Sequence, residues 1–155
     1  MERFKKYFSL LFFLAFAFGA SAWGGFVTSI YKEPWYTEII RPSFSPPDWV
    51  FGPVWTTLYI LMSVAIWLNW IFNREIKTIK IYFYHIFFNS IWSIIFFGFH
   101  QIFLAMINLV VILFFILWLM KIYYKNSKIS FLLMIPYLLW SSYALLLNMS
   151  IFYLN

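Results

Sequence analysis

The chain has no cysteine and very little charge: 10% of its 155 residues are charged, and only five are acidic. Without cysteine there can be no disulfide, no thiol nucleophile and no thiolate metal ligand. With 65% hydrophobic residues, the remaining polar side chains are too few to cover the surface of a soluble globule of this size. We therefore predict an integral membrane protein with no soluble domain and no metal site.

Five long apolar runs account for most of the chain. Each is about as long as an α-helix must be to cross a bilayer, roughly 20 residues. The runs are continuous rather than alternating, which favours helices over barrel strands. The sequence predicts an all-α membrane protein in which one domain, residues 1–155, is a bundle of five transmembrane helices. The spans are expected at about residues 7–27, 49–72, 79–99, 102–123 and 130–154.

The first run has two interpretations. Its basic start and its Gly19-Ala20-Ser21-Ala22 segment are typical of a cleavable signal peptide. The apolar character nevertheless continues through Val27, which makes the run long enough to span a bilayer. We favour a retained first helix.

The stretch from Trp35 to Met62 differs most from plain apolar helix, because it holds four of the six prolines and three of the nine tryptophans. The run from Pro42 to Pro47 cannot continue a helix, since proline lacks an N–H and disfavours the α region for the preceding residue. We expect residues 28–48 to form a long structured loop between the first and second helices.

Basic residues are distributed unequally between the two sides of the predicted bundle. Lys32 and Arg41 lie on one side, and the other side carries Arg3, Lys5, Lys6, Arg74, Lys77, Lys80, Lys121, Lys125 and Lys128. This asymmetry predicts a cytoplasmic N-terminus, with the long loop and the C-terminus on the opposite face. Topology also explains the net charge of +6, so no nucleic-acid partner is implied. The composition and the lack of an organelle-targeting segment favour a bacterial cytoplasmic membrane.

Ionisable groups are scarce at membrane depth. The five carboxylates fall in the tail or the loops, and His85 is the one histidine expected within a span. A lone histidine near a helix end is more often a packing residue than a proton relay, and ion-coupled pumps usually need ionisable groups inside the membrane. No acid–base, nucleophile or metal constellation is present, so the sequence leaves enzymatic activity uncertain and implies no cofactor.

Aromatic rings and asparagines recur at helical spacing in three spans. Asn89 and Asn148 need hydrogen-bond partners in hydrocarbon, so we expect them to point into the bundle. These faces are either packing surfaces or the walls of a cavity for a large flat ligand. The tryptophans near span ends, Trp35, Trp49 and Trp70, have a default role as interfacial anchors. The faces carry Phe51, Trp55, Tyr59; His85, Asn89, Trp92, Phe96; and Pro136, Trp140, Ala144, Asn148.

A specific motif joins the loop to the second span: Trp35-Tyr36, Arg41-Pro42, then Pro46-Pro47-x-Trp49-x-Phe51-x-Pro53-Val54-Trp55-x-x-Leu58-Tyr59-x-x-Met62. It resembles the signature of the TspO/MBR family, also called translocator proteins, peripheral-type benzodiazepine receptors or tryptophan-rich sensory proteins. The third and fifth spans resemble the corresponding helices of that family. They carry Asn89-x-x-Trp92-Ser93-x-x-Phe96-Phe97 and Pro136-Tyr137-x-x-Trp140 with Asn148.

The resemblance implies a five-helix bundle, commonly a homodimer in the bilayer, that acts as a receptor or carrier. Its ligands would be porphyrins such as protoporphyrin IX, haem-related tetrapyrroles and similar flat apolar molecules, bound in a pocket beneath the first loop. A porphyrin carries two propionate groups, and Lys32 and Arg41 would either pair with them or be ordinary solvated charges. Carried onto this chain, the expected pocket residues are Trp35, Tyr36, Pro46, Trp55, Tyr59, Asn89, Trp92, Trp140 and Ala144.

Two further functions stay open. The resemblance implies that some bacterial members degrade protoporphyrin IX in a light- and oxygen-dependent reaction, for which Trp55 and Trp140 would be the catalytic residues. The alternative is a regulatory or structural protein that acts through protein partners. In that case Gly19, Ala20 and the Gly24-Gly25 pair would form a close-packing dimer face, although small residues also ease packing within one bundle.

The chain departs from animal members of the family at Ile151-Phe152-Tyr153-Leu154-Asn155, where no basic residue follows the tyrosine. The sterol-recognition pattern is therefore missing there, and sterol binding by that route is doubtful. Residues 119–125 match the loose pattern through Tyr123, but such matches are weak. Arg41 also stands where relatives often have lysine, a change that preserves the charge.

Overall fold

The computed structural model describes the backbone of residues 2–155 and the side chains from Tyr7 onward. The described chain contains helices and no strand, and five helices are long and apolar enough to cross a membrane. The basic side chains of Arg3, Lys5 and Lys6 lie outside the described part. The helices are α1 (Glu2–Tyr31), α2 (Trp35–Glu38), α3 (Phe51–Asn73), α4 (Ile76–Ser93), α5 (Ile102–Asn126) and α6 (Lys128–Leu154).

The long loop is shorter and more structured than the sequence indicates. Helix α1 continues to Tyr31, and the one-turn helix α2 lies within the predicted loop. A 3-10 turn at Asp48–Val50 leads directly into α3. The irregular parts are therefore the short turn at residues 32–34 and the segment 39–47, and the second contains the proline run that disfavours helix.

The connection between the last two spans is shorter than the expected bounds of about 102–123 and 130–154 leave for it. Helix α5 runs through to Asn126, and Ser127 alone is extended, with φ −157° and ψ 101°. Nothing between Lys121 and Asn126 breaks a helix, whereas Ser127 suits a helix start. Its hydroxyl accepts a hydrogen bond from the Ser130 N–H at 3.3 Å and so caps α6.

The five spanning helices form a closed ring. Each packs chiefly against two neighbours, in the spatial order α1, α3, α6, α5, α4 and back to α1. Apolar side chains from all five helices meet inside this ring and form the core. Because the ring surrounds its own interior, side chains of different helices can converge on one enclosed space.

Helix α4 ends in a π turn, Ile94–Gly98, in which the Phe99 N–H donates to the Ile94 carbonyl at 2.8 Å. Such turns insert an extra residue and change the direction of the side chains that follow. Here the adjacent residues Phe96 and Phe97 are both buried and pack with the loop residue Tyr36. The π turn thus packs the end of α4 against the loop.

Candidate ligand-binding site

A cavity of about 590 Å³ lies inside the ring beneath the loop. Every spanning helix contributes to its walls, and Tyr36, Ser45 and Asp48 contribute from the connection between α1 and α3. Three tryptophans from three helices line it: Trp55 of α3, Trp92 of α4 and Trp140 of α6. This volume is within the range of roughly 300–1,000 Å³ that is typical of small-molecule sites.

Most residues expected in the pocket lie on this cavity. They are Tyr36, Trp55, Tyr59, Asn89, Trp92, Trp140 and Ala144. Trp35 and Pro46 do not line it. The Trp35 ring instead stacks on His100, with centroids 4.4 Å apart, and packs edge-on against Phe96. It therefore supports the wall from behind.

The aromatic faces point inward as the spacing predicts. Trp55 lies 5.8 Å from Tyr59 and 6.2 Å from Tyr137 between ring centroids, and Trp140 packs edge-on against Phe51 at 5.9 Å. Pro136 is the exception in its stripe, because it lies away from the cavity on a shallow groove. Trp49 is 75% exposed, which agrees with its default role as an interfacial anchor.

The two asparagines are buried, as expected, but only one is hydrogen-bonded. The Asn89 amide accepts from the Tyr59 hydroxyl and donates to the Tyr137 oxygen at 2.9 Å. The Tyr137 oxygen also lies 2.7 Å from Nε2 of the fully buried His85. His85 is thus a packing residue in a polar network. The Asn148 amide lines the cavity and has no hydrogen-bond partner within the described chain.

The loop side of the cavity carries a cluster of charges centred on Asp48. Its carboxylate accepts hydrogen bonds from the Lys32 ammonium and, at 3.1 Å, from Nη1 of Arg41. Both cations also lie over the Tyr36 ring, at 5.3 and 5.0 Å from its centroid. A side-chain hydrogen bond to Tyr36 is the largest cause that raises the pKa of Arg41; the charges of Tyr36 and Asp48 raise it further, and together they outweigh the lowering by burial.

The end of α6 holds the loop in place. The Asn155 amide accepts from the Ile40 N–H at 2.8 Å and donates to the Ile40 carbonyl at 3.0 Å. About three turns earlier on the same helix, the Tyr143 hydroxyl donates to the Phe44 carbonyl at 2.7 Å. Two irregular loop residues thus pair with side chains of a regular helix, which positions the loop over the cavity.

The small residues of α1 separate into two groups. A Cβ added at Gly24 would lie 3.2 Å from the Ser93 hydroxyl of α4, so this glycine permits close packing inside one bundle. A Cβ at Gly19 or Gly25 would meet no atom within 4 Å. Gly24 therefore packs within the bundle and does not belong to the expected dimer face. The homodimer stays a prediction.

Sequence reasoning missed several parts of the site. Asp48 was counted only among the five carboxylates, although its place in the same predicted loop as Lys32 and Arg41 was a usable signal. The α5 wall, formed by Leu109 and Ile112, carried no signal, because these residues look like any others in an apolar helix. Tyr123, which completes the loose sterol pattern, is fully buried and so is not offered to lipid.

Comparisons with known sequences give one matching family model and several relatives. A sequence model described as the TspO/MBR family matches residues 11–154. The tryptophan-rich protein TspO of Archaeoglobus fulgidus is 33% identical over 95% of this chain and 94% of its own length. A tryptophan-rich sensory protein of Cereibacter sphaeroides is 32% identical, over 94% and 90% of the two chains. The human translocator protein is 31% identical, over 74% and 70%.

Proposed function

The chain belongs to the TspO/MBR family of multi-pass membrane proteins, and on that premise we propose that it is a receptor or carrier for porphyrins. The ligand class comprises protoporphyrin IX, related tetrapyrroles and other flat apolar molecules. Binding would occur in the cavity beneath the loop, within the bilayer-spanning bundle.

The convergence of Trp55, Trp92 and Trp140 on one cavity is the observation that supports this proposal. Aromatic rings favour stacked or edge-on contact with another ring system, and they bury a large apolar area. A planar macrocycle offers two such faces, so it can contact indoles from several helices at once. Packing of the helices against one another does not require a cavity of this size to stay open between the rings.

Tryptophan fluorescence tests the proposal directly. Purified protein in detergent, titrated with protoporphyrin IX, should show saturable quenching, because the macrocycle would lie against the indoles. The double variant Trp55→Phe with Trp140→Phe should weaken binding by about tenfold or more, which corresponds to a loss of about 1.4 kcal/mol.

The matched control removes two indoles outside the cavity, Trp23→Phe with Trp118→Phe. Both side chains are exposed on the outer surface, at 52% and 37%. This variant should retain the wild-type affinity. Quenching that never saturates, or an equal loss of affinity in the two double variants, would contradict the proposed site.

A second function, light-driven porphyrin degradation, is favoured by one observation. Trp55 and Trp140 line the same cavity, so both indoles would be next to one bound macrocycle. The described residues contain no metal-binding cluster. The oxidant would be dioxygen, with the illuminated porphyrin as sensitiser and the indoles as electron-rich partners.

Illumination of the complex in air separates binding from degradation. Loss of the porphyrin absorption bands in the wild type, but not in single Trp55→Phe or Trp140→Phe variants loaded with equal amounts of porphyrin, would support degradation. Equal bleaching in all three proteins would show that the porphyrin is lost by nonspecific photochemistry. The proposed binding function would be unaffected by that result.

A further inference from the structure

We propose that Asp48 competes with anionic ligands for the two cations at the cavity mouth. The Asp48 carboxylate pairs with Lys32 and Arg41, and a ligand carboxylate binds there by replacing it. The inference rests on the proposed function and narrows its ligand class. The ligand would have a flat apolar body and at least one carboxylate on its edge. Asp48 would then set how strongly that carboxylate contributes to affinity.

The positions of the charges support this exchange. Lys32 and Asp48 both line the cavity, and Arg41 reaches the same carboxylate from the loop. Glu33 also lines the cavity, with a carboxylate oxygen 3.9 Å from the Lys32 nitrogen. Two cations therefore face two carboxylates, so the mouth presents no excess positive charge to an approaching anion.

The polarity of the cavity matches an amphipathic ligand. The charged groups lie at the loop side, while the walls below consist mainly of rings and aliphatic side chains such as Phe97, Leu109 and Ile112. A macrocycle seated between the tryptophans with its edge toward the loop would bring its carboxylates to Lys32 and Arg41. Both cations would then already be paired with Asp48.

Replacing one carboxylate by another costs little, because the same kind of ion pair is broken and formed. The Asp48 side chain is 46% exposed, so it can return to water when it is displaced. Partly exposed ion pairs contribute only about 0–1 kcal/mol each. Burial of the apolar body would therefore supply most of the affinity, and competition from Asp48 would reduce the contribution of the charged edge.

Asp48 is not the only fastening of the loop. Asn155 pairs with the Ile40 backbone, and Tyr143 pairs with the Phe44 carbonyl, independently of the charges. Removing the Asp48 charge should thus leave the loop over the cavity. An experiment can therefore distinguish two roles of Asp48: a competitor, which occupies the cations in place of a ligand, and a latch, which holds the loop over the cavity.

The experiment compares protoporphyrin IX with its dimethyl ester, which has the same macrocycle but no carboxylate. Affinities are measured by fluorescence quenching in phosphatidylcholine nanodiscs, whose lipid carries no net charge. Asp48→Asn should bind the acid about tenfold more tightly, equivalent to about 1.4 kcal/mol, and bind the ester with unchanged affinity. Lys32→Gln should weaken binding of the acid alone.

Glu38→Gln is the matched control, since Glu38 is an exposed carboxylate of the same region that does not line the cavity. It should change neither affinity. A loss of affinity for both ligands in Asp48→Asn would show that Asp48 is a latch, and no change for either would show that it does not compete. Both results overturn the inference but leave porphyrin binding standing. A wild-type protein that binds neither ligand overturns the inference and the proposed function together.

Discussion

The hydroxyl of Tyr137 has one proton, and its two neighbours determine where that proton points. The Asn89 amide nitrogen donates to the Tyr137 oxygen, so the hydroxyl is left to donate to Nε2 of His85. With this assignment His85 accepts at Nε2 and carries its proton at Nδ1, which has no hydrogen-bond partner within the described chain. The chain of donors runs in one direction, from Tyr59 through Asn89 and Tyr137 to His85.

This directed network predicts a specific stability difference. Tyr137→Phe removes a hydroxyl and leaves both Asn89 and His85 without that partner in a buried site. We expect destabilisation by about 1–2 kcal/mol, because buried polar groups that lose a partner are costly, though less so in membrane proteins than in water-soluble ones. Unfolding in a titration with denaturing detergent would measure it.

Tyr123→Phe is a close control, since Tyr123 is equally buried and its hydroxyl has no hydrogen-bond partner within the described chain. Its removal should leave stability unchanged or slightly higher. If both substitutions destabilised the protein equally, the network around Tyr137 would have no special role.

At the scale of elements, the irregular loop depends on a regular helix. Residues 39–47 have few backbone hydrogen bonds of their own, and α6 supplies partners through Tyr143 and Asn155. Loops that lack buried contacts open easily, so these side-chain bonds determine how rigid the cover of the cavity is.

Asn155→Ala should therefore loosen the loop without unfolding the bundle. Loss of the two hydrogen bonds to Ile40 would lower the local stability of the loop by about 1–2 kcal/mol. Hydrogen exchange at the amides of residues 39–47 should accelerate by roughly five- to thirtyfold, while exchange in α3 and α5 stays the same.

Tyr153→Phe serves as the comparison, because Tyr153 lies on the same last turn but is 80% exposed. Its exchange pattern should match the wild type. Unchanged exchange of the loop in Asn155→Ala would mean that the remaining contacts hold the loop without the end of α6.

At the scale of the whole molecule, we expect the two chain ends on opposite faces of the membrane, because five is an odd number of spans. Five spanning helices, joined by short connections, leave the loop near α2 on the same face as the end of α6. The hydrogen bonds between Asn155 and Ile40 agree with that placement. The basic residues of the opposite face predict that it is the cytoplasmic one.

The absence of native cysteine makes this orientation easy to test. Single variants Ser43→Cys and Asn126→Cys place one thiol at an exposed position on each face. In intact bacterial cells, a membrane-impermeant maleimide should label Ser43→Cys and should label Asn126→Cys only after the membrane is disrupted. The reverse pattern would show that the orientation is inverted.

The sequence by itself determined the membrane class, the five helices and the inward faces of Trp55, Trp92 and Trp140. These features follow from composition and from spacing along a single helix, so no knowledge of neighbouring helices is needed. The motif in the loop and second span was also sufficient to indicate the family, which the comparison over residues 11–154 confirms.

Only the tertiary structure decided which polar groups are paired with one another. Asn89 and Asn148 look alike in sequence, yet the side chain of one belongs to a hydrogen-bond network and that of the other lies unpaired at the cavity. Asp48 and Asn155 likewise meet their partners across 16 and 115 positions of the chain. A hydrogen bond or an ion pair depends on distances of a few ångströms between atoms of different elements, and local sequence spacing does not contain those distances.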